Sequence, residues 1–179
     1  MVIGIDISQT AYENTGVANY TKSWVENLIK LDDKNEYILF FSSLRKQIPG
    51  FIKELADKKN TKVKIKTFKY PPTLLDMFWN RLHIMPIEDL IGQVDVFISS
   101  DWTQPPTKQA KSATILYDLI VYRYPEETDI NIVHTQRRRL NWVKKECDII
   151  FCISQSTKQD AIDILGIDES RLRVVYAGI

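Results

Sequence analysis

Four polar stretches hold the side chains best suited to chemistry. In "ATILYDLIVYRYPEE" an apolar run ends by delivering Tyr117 and Asp118 side by side. A phenol both donates and accepts hydrogen bonds while a carboxylate only accepts, so the pair suits holding the hydroxyls of a polar ligand. "SSDWTQPPTK" places Asp101 and Trp102 beside two serines and Pro105-Pro106, a stiff rim carrying one indole. That indole either stacks on a sugar face or shields a sheet end, and shielding is the commoner use of a lone tryptophan. In "IDISQTAYENTGVANY" an unusually long loop precedes Thr15, Gly16 and Val17, where helical periodicity starts. Free N–H groups at that start, with no Cβ on Gly16, suit a phosphate or diphosphate. Gly16 equally suits a tight entry to the helix, and the residues leave both readings open. In "SQSTKQD", Ser154 and Ser156 serve as helix caps or offer the helix start to an anion.

What is missing narrows the chemistry. Glycines stand at 4, 16, 50, 92, 166 and 178, so no GxG occurs and the dinucleotide fingerprint is absent. There is no phosphate-binding GxxxxGK[ST] loop and no G-x-S-x-G elbow. No Asp-x-Asp pair or His/Cys cluster supports a metal site. His83 and His134 fall in helical segments and read as surface or packing residues. Cys147 and Cys152 fall at the entry and inside one strand, so two reduced buried thiols are expected rather than a disulfide.

These groups need a frame, and the frame is legible as alternating strand and helix. Strands are predicted over 2–6, 36–41, 62–68, 94–99, 113–117, 148–154 and 172–176. Val17, Tyr20, Trp24, Leu28 and Leu31 recur at helical spacing. Further helices are predicted over 48–58, over 74–90 with an interruption at Pro86, over 128–146, and from Ser156, with Gln159 completing a capping box, to Gly166. The strict alternation of "KVKIKTF" places 62–68 near a sheet edge or with one wet face, whereas continuous "VDVFIS" reads as a central strand. Repeated β-then-α order implies an α/β, doubly wound, mostly parallel sheet of about seven strands in one Rossmann-like domain, residues 1–179. Open sheets of this kind bind ligands at the carboxyl ends of their strands, where all four polar stretches fall.

Apolar residues make up 44% and charged residues 26%, as in an ordinary globular chain, and a net charge of +1 gives no global argument for nucleic acid. With no apolar run near 18 residues and no signal-peptide pattern, a cytoplasmic location is expected. Arg137, Arg138, Arg139, Lys144 and Lys145 concentrate positive charge in "HTQRRRLNWVKKE". Such a helix either touches anionic lipid at the inner face of a membrane or turns a solvated face outward.

Taken in order, "IGIDIS…TGVANYTKSWVENLIKLD", "VDVFISSDWTQPP", "YDLIVYRYPEE" and "DIIFCISQSTKQDAIDILGIDESRLRVVYAGI" resemble the amino-terminal half of a GT-B glycosyltransferase of family 4. The resemblance implies a retaining, metal-independent hexosyltransferase using a nucleotide-diphosphate sugar as donor substrate and no other cofactor. It implies that a glycan or lipid-linked acceptor binds this acceptor-side half. It also implies that the carboxyl-terminal donor-binding domain is absent from this chain, whose closing "VVYAGI" just past a strand is similar to the family's crossing between domains. Thr15, Gly16 and Val17 would then face the donor diphosphate, and Tyr117 and Asp118 the transferred sugar. Tyr117 stands where many members carry histidine. Asp101, Trp102, Ser154 and Ser156 would face the acceptor. Such a half is expected to be inactive alone. Two rival readings are a non-catalytic docking half of a split glycosyltransferase and a free-standing flavodoxin-like domain that binds a small ligand.

Overall fold

Alternate side chains of one strand show how the layers arise. Along β2 (Glu36–Ser42), Tyr37, Leu39 and Phe41 enter one apolar cluster, while Ile38 and Phe40 enter a second on the other face. Successive strand residues point to opposite faces, so a run apolar at every position must be covered on both. The computed structural model describes residues 1–12, 14–57 and 62–176. Expectations attached to Lys58, the end of the second predicted helix, and to 177–179 lie outside them.

The described residues form one sheet of seven strands, all paired in parallel, in the order β3-β2-β1-β4-β5-β6-β7. β1 is Val2–Asp6, β3 Val63–Phe68, β4 Val96–Ser99, β5 Lys111–Leu116, β6 Ile149–Cys152 and β7 Leu172–Val174. The doubly wound fold expected from the sequence is therefore present. β3 is an edge strand whose Lys64 and Lys66 are exposed while Val63 and Ile65 pack inward, as its alternation requires. Chain order reverses between β1 and β4, which makes their carboxyl ends the switch point of the sheet.

Helix α1 (Gly16–Leu31) lies over the cluster built on Ile5, Leu39 and Ile98. Its buried stripe is Ala18, Thr21, Val25 and Ile29. Tyr20, Trp24 and Leu28 flank that stripe rather than centre it, and Leu31 is 86% exposed, so the predicted face is rotated by one residue. Thr21 occupies an inward position because its hydroxyl meets the Tyr117 hydroxyl at 3.0 Å. α2 (Gly50–Asp57) adds Ile52 and Leu55 to the same side.

The predicted helix over 74–90 is broken further than Pro86 alone would break it. A short α3 (Pro72–Leu75) runs into a π-helical turn, Asp76–Arg81, closed by Leu82 N–H donating to the Met77 carbonyl at 3.0 Å. His83 and Met85 then take positive φ of 52° and 64°, before α4 (Glu88–Ile91). His83 does not sit within a helix: its ring stacks on Trp142 at 3.6 Å and touches the Trp79 carbonyl and Glu146, both at 2.8 Å.

α5 (Ile120–Arg123), α6 (Ile130–Glu146) and α7 (Gln155–Asp163) complete the fold. Leu140 and Val143 of α6 pack on Ile150 and Cys152 of β6. The cap of α7 is Ser154, whose hydroxyl accepts from Thr157 N–H at 3.0 Å; Ser156 is exposed in the first turn and closes no capping box. Both cysteines are free and buried, and burial pushes each thiol up to about 11. Among the described residues no helix is long and apolar enough to cross a membrane.

Candidate functional site

At the switch point a cleft of about 400 Å³ opens between the carboxyl ends of β1 and β4. Its base is Asp6, the last residue of β1, only 4% exposed. Ser8 N–H donates to Asp6 Oδ1 at 2.9 Å, closing the tight turn that leaves β1. Burial raises the Asp6 pKa above its ordinary value, and hydrogen bonds from Ser8 and Ser100 only partly offset that. Ser42, at the end of β2, donates its backbone N–H to Ser8 Oγ at 3.0 Å and completes the polar floor. Leu75 and Pro72 form an apolar side.

The facing wall is the chain after β4, Ser100 to Thr103, held from two directions. Asn80 of the π-helical turn donates to the Trp102 carbonyl at 3.0 Å and accepts from Gln104 N–H at 3.0 Å. Gln136 of α6 donates to the Asp101 carbonyl at 2.8 Å. Beneath, Gln104 Nε2 donates to Ser112 at 2.9 Å, and Ser99 bridges Gln104 and Thr114 at 2.6 and 2.8 Å. A buried polar network so nearly satisfied fixes one geometry for the loop it supports.

Arg139 is part of that support and is no member of a solvated cationic face. It is 1% exposed and donates to Thr114 Oγ1 at 2.7 Å and the Ile115 carbonyl at 3.1 Å, with Asp101 Oδ1 3.8 Å away. Its Nε meets no acceptor among the described residues. The other four positive residues lie differently: Arg138 pairs with Asp76 at 3.2 Å, Arg137 lies over the Tyr122 ring, Lys145 lies over Trp142, and Lys144 is exposed. Burial raises the Asp101 pKa, Arg139 lowers it, and the Asp118 charge raises it again.

The other predicted residues divide. Thr15 and Val17 line the cleft beside Tyr12, and Thr15 caps α1 by accepting from Ala18 N–H at 3.2 Å. Gly16 faces instead a groove along α1 with Asn19, Trp24 and Tyr176. Asp101 and Trp102 line the cleft as a pair. Tyr117 and Asp118 do not line it. The Tyr117 ring packs edge-on against Tyr20 at 5.4 Å with its hydroxyl on Thr21, and burial raises its pKa. Asp118 is exposed and accepts from Ile120 N–H at 3.0 Å, a local turn just before α5. Ser154 and Ser156 do not line the cleft either; they stand at the start of α7, whose Thr157 hydroxyl donates to the Tyr117 carbonyl at 3.0 Å. Sequence reasoning missed Asp6, Asn80, Gln136 and Gln104. The one available signal was an acid closing the first strand, at the position a switch point would use.

Among the described residues no cluster of three or more His, Cys, Asp or Glu is placed to hold a metal ion. No known protein-family model matches this sequence, and no curated protein matches it. Among solved structures the chain is similar to an alpha-glucosyltransferase in complex with UDP and a 13-mer DNA containing a HMU base, with a TM-score of 0.50 and 13% identity. The match covers 100% of this chain and 43% of that one, so this chain spans less than half the length of the protein it resembles and shares the fold of the matched part.

Proposed function

We propose that this chain is the amino-terminal, acceptor-side half of a GT-B glycosyltransferase of the family 4 kind. It would act with a second Rossmann-like domain that binds a nucleotide-sugar donor. The observation that carries this reading is the fold match: all of this chain fits 43% of an alpha-glucosyltransferase solved with UDP, as one half of a two-domain enzyme would. The placement of Asp6, Asp101 and Trp102 in one switch-point cleft supports it, since carboxylates and an indole are what a hydroxyl-rich ring binds.

In this reading the cleft receives the acceptor, and Thr15, Gly16 and Val17 turn the N–H groups of a helix start toward the donor diphosphate. Tyr117 and Asp118 sit beside the transferred hexose, with Thr21 and the Ile120 N–H fixing their orientation. Ser154 and Ser156 lie at the neighbouring turn. Stabilising the departing nucleoside diphosphate falls to the second domain. The proposed location is cytoplasmic, with α6 turning Arg137, Lys144 and Lys145 toward an anionic membrane surface.

Nucleotide-sugar turnover tests the reading. The chain of 179 residues is expected to fold and to release no nucleotide from UDP- or GDP-hexoses. A longer polypeptide that continues into a second Rossmann-like domain is expected to transfer the hexose. Turnover by the short chain, or none by the longer one across both donor classes, overturns the proposal.

A further inference from the structure

The charge inventory of the cleft says more about its occupant than the fold does. Among the described residues lining it there is no lysine, arginine or histidine. Its formal charges are two carboxylates, and they are unequal. Asp101 has a cation, Arg139, 3.8 Å away, whereas Asp6 forms no ion pair among the described residues and is held by serine groups. Arg139 cannot turn to a ligand, because it is buried and its Nη2 is committed to Thr114 and Ile115. Lys46 lines an adjoining groove that shares only the Tyr12 and Thr15 wall with the cleft. Ser42, Ser100 and Thr103 add hydroxyls, which donate or accept as a ligand requires.

We infer that this cleft takes an uncharged, polyhydroxylated ring, held by Asp6 through its hydroxyls and stacked against Trp102, and that it rejects a ring bearing phosphate or carboxylate. A ligand hydroxyl can donate to Asp6, whose acceptor capacity the two serines do not exhaust. An anion placed over a buried carboxylate with no cation paired to it meets like-charge repulsion at low dielectric. The helix start at Thr15 offsets this only at the outer rim. Within the glycosyltransferase reading on which the inference rests, the acceptor residue bound here is a neutral sugar. Any phosphate of a lipid-linked acceptor then lies outside the cleft.

Saturation-transfer NMR on this chain reads such weak binding directly. The probes are methyl α-glucoside, -mannoside and -galactoside, against glucose 6-phosphate, mannose 6-phosphate and glucuronate. At least one hexoside is expected to give transfer that the anionic sugars miss by about tenfold or more. Asp6→Asn and Trp102→Ala are each expected to reduce the hexoside signal several-fold, with circular dichroism confirming the fold. Should Asp6→Asn fail to fold, Trp102→Ala and Ser100→Ala carry the test. Equal or stronger transfer to the anionic sugars, no transfer to any hexoside, or hexoside transfer indifferent to the folded variants overturns the inference. Hexoside binding without nucleotide-sugar turnover by the longer polypeptide would overturn only the glycosyltransferase reading.

Discussion

Asp6 is where stability and the site pull against each other. Burial raises its pKa, so the folded chain holds that proton more tightly than the unfolded chain does. Stability from this group is therefore present below the ordinary carboxyl value of 3.8 and falls as pH rises through the raised one. Asp6→Asn keeps an acceptor for Ser8 N–H and removes the charge. The variant is expected to resist urea better than the parent near neutral pH, its advantage fading as pH approaches 3.8. Urea titrations across pH measure this, and a pH-independent difference would refute it. Arg139 acts in the opposite sense. Arg139→Met removes the bonds to the Thr114 hydroxyl and Ile115 carbonyl and the cation beside Asp101, and is expected to destabilise by about 3 kcal/mol, read by the same titration. Gly4 has no room to grow: a Cβ there would stand 2.8 Å from Phe97 and 3.0 Å from Ile91. Gly4→Ala is expected to cost about 1–3 kcal/mol in thermal or urea unfolding.

Among the elements, the π-helical turn and the start of α7 show what periodicity cannot reveal. A helical pattern over 74–90 is present in the sequence, yet the one extra residue per turn at Asp76–Arg81 comes from tertiary demands. Asn80 reaches the chain after β4, Asp76 takes Arg81 and Arg138, and Trp79 fills the core. Asn80→Ala is expected to leave the sheet intact and to speed amide exchange at Gln104, whose N–H donates to Asn80, at least about tenfold, the loss of one hydrogen bond. At α7, the sequence offers two serines and a glutamine at the right spacing, and only geometry decides between them. Ser154→Ala is expected to cost about 1 kcal/mol by urea unfolding, while Ser156→Ala stays within about 0.5 kcal/mol.

At the scale of the molecule, the sheet was the most legible part. Every strand announced itself, because burial on two faces demands unbroken apolar runs and burial on one demands alternation. The site was legible only in outline. Asp101 and Trp102 both line the cleft, but Tyr117 is engaged by α1 and Gly16 lines a different groove. The groups that fix the wall come from Asn80, Gln104, Gln136 and Arg139, whose partners are set by the winding of the chain and leave no local trace. Those supports also set a timetable for the cleft during synthesis. β1, β2 and their helices can pack once the first third of the chain has emerged, but the Trp102 wall waits for a turn made before it and a helix made some thirty residues after it. The pocket is then complete only after α6 has been made, and a ligand that fits it would pass over chains in which only the first strands and their helices have packed.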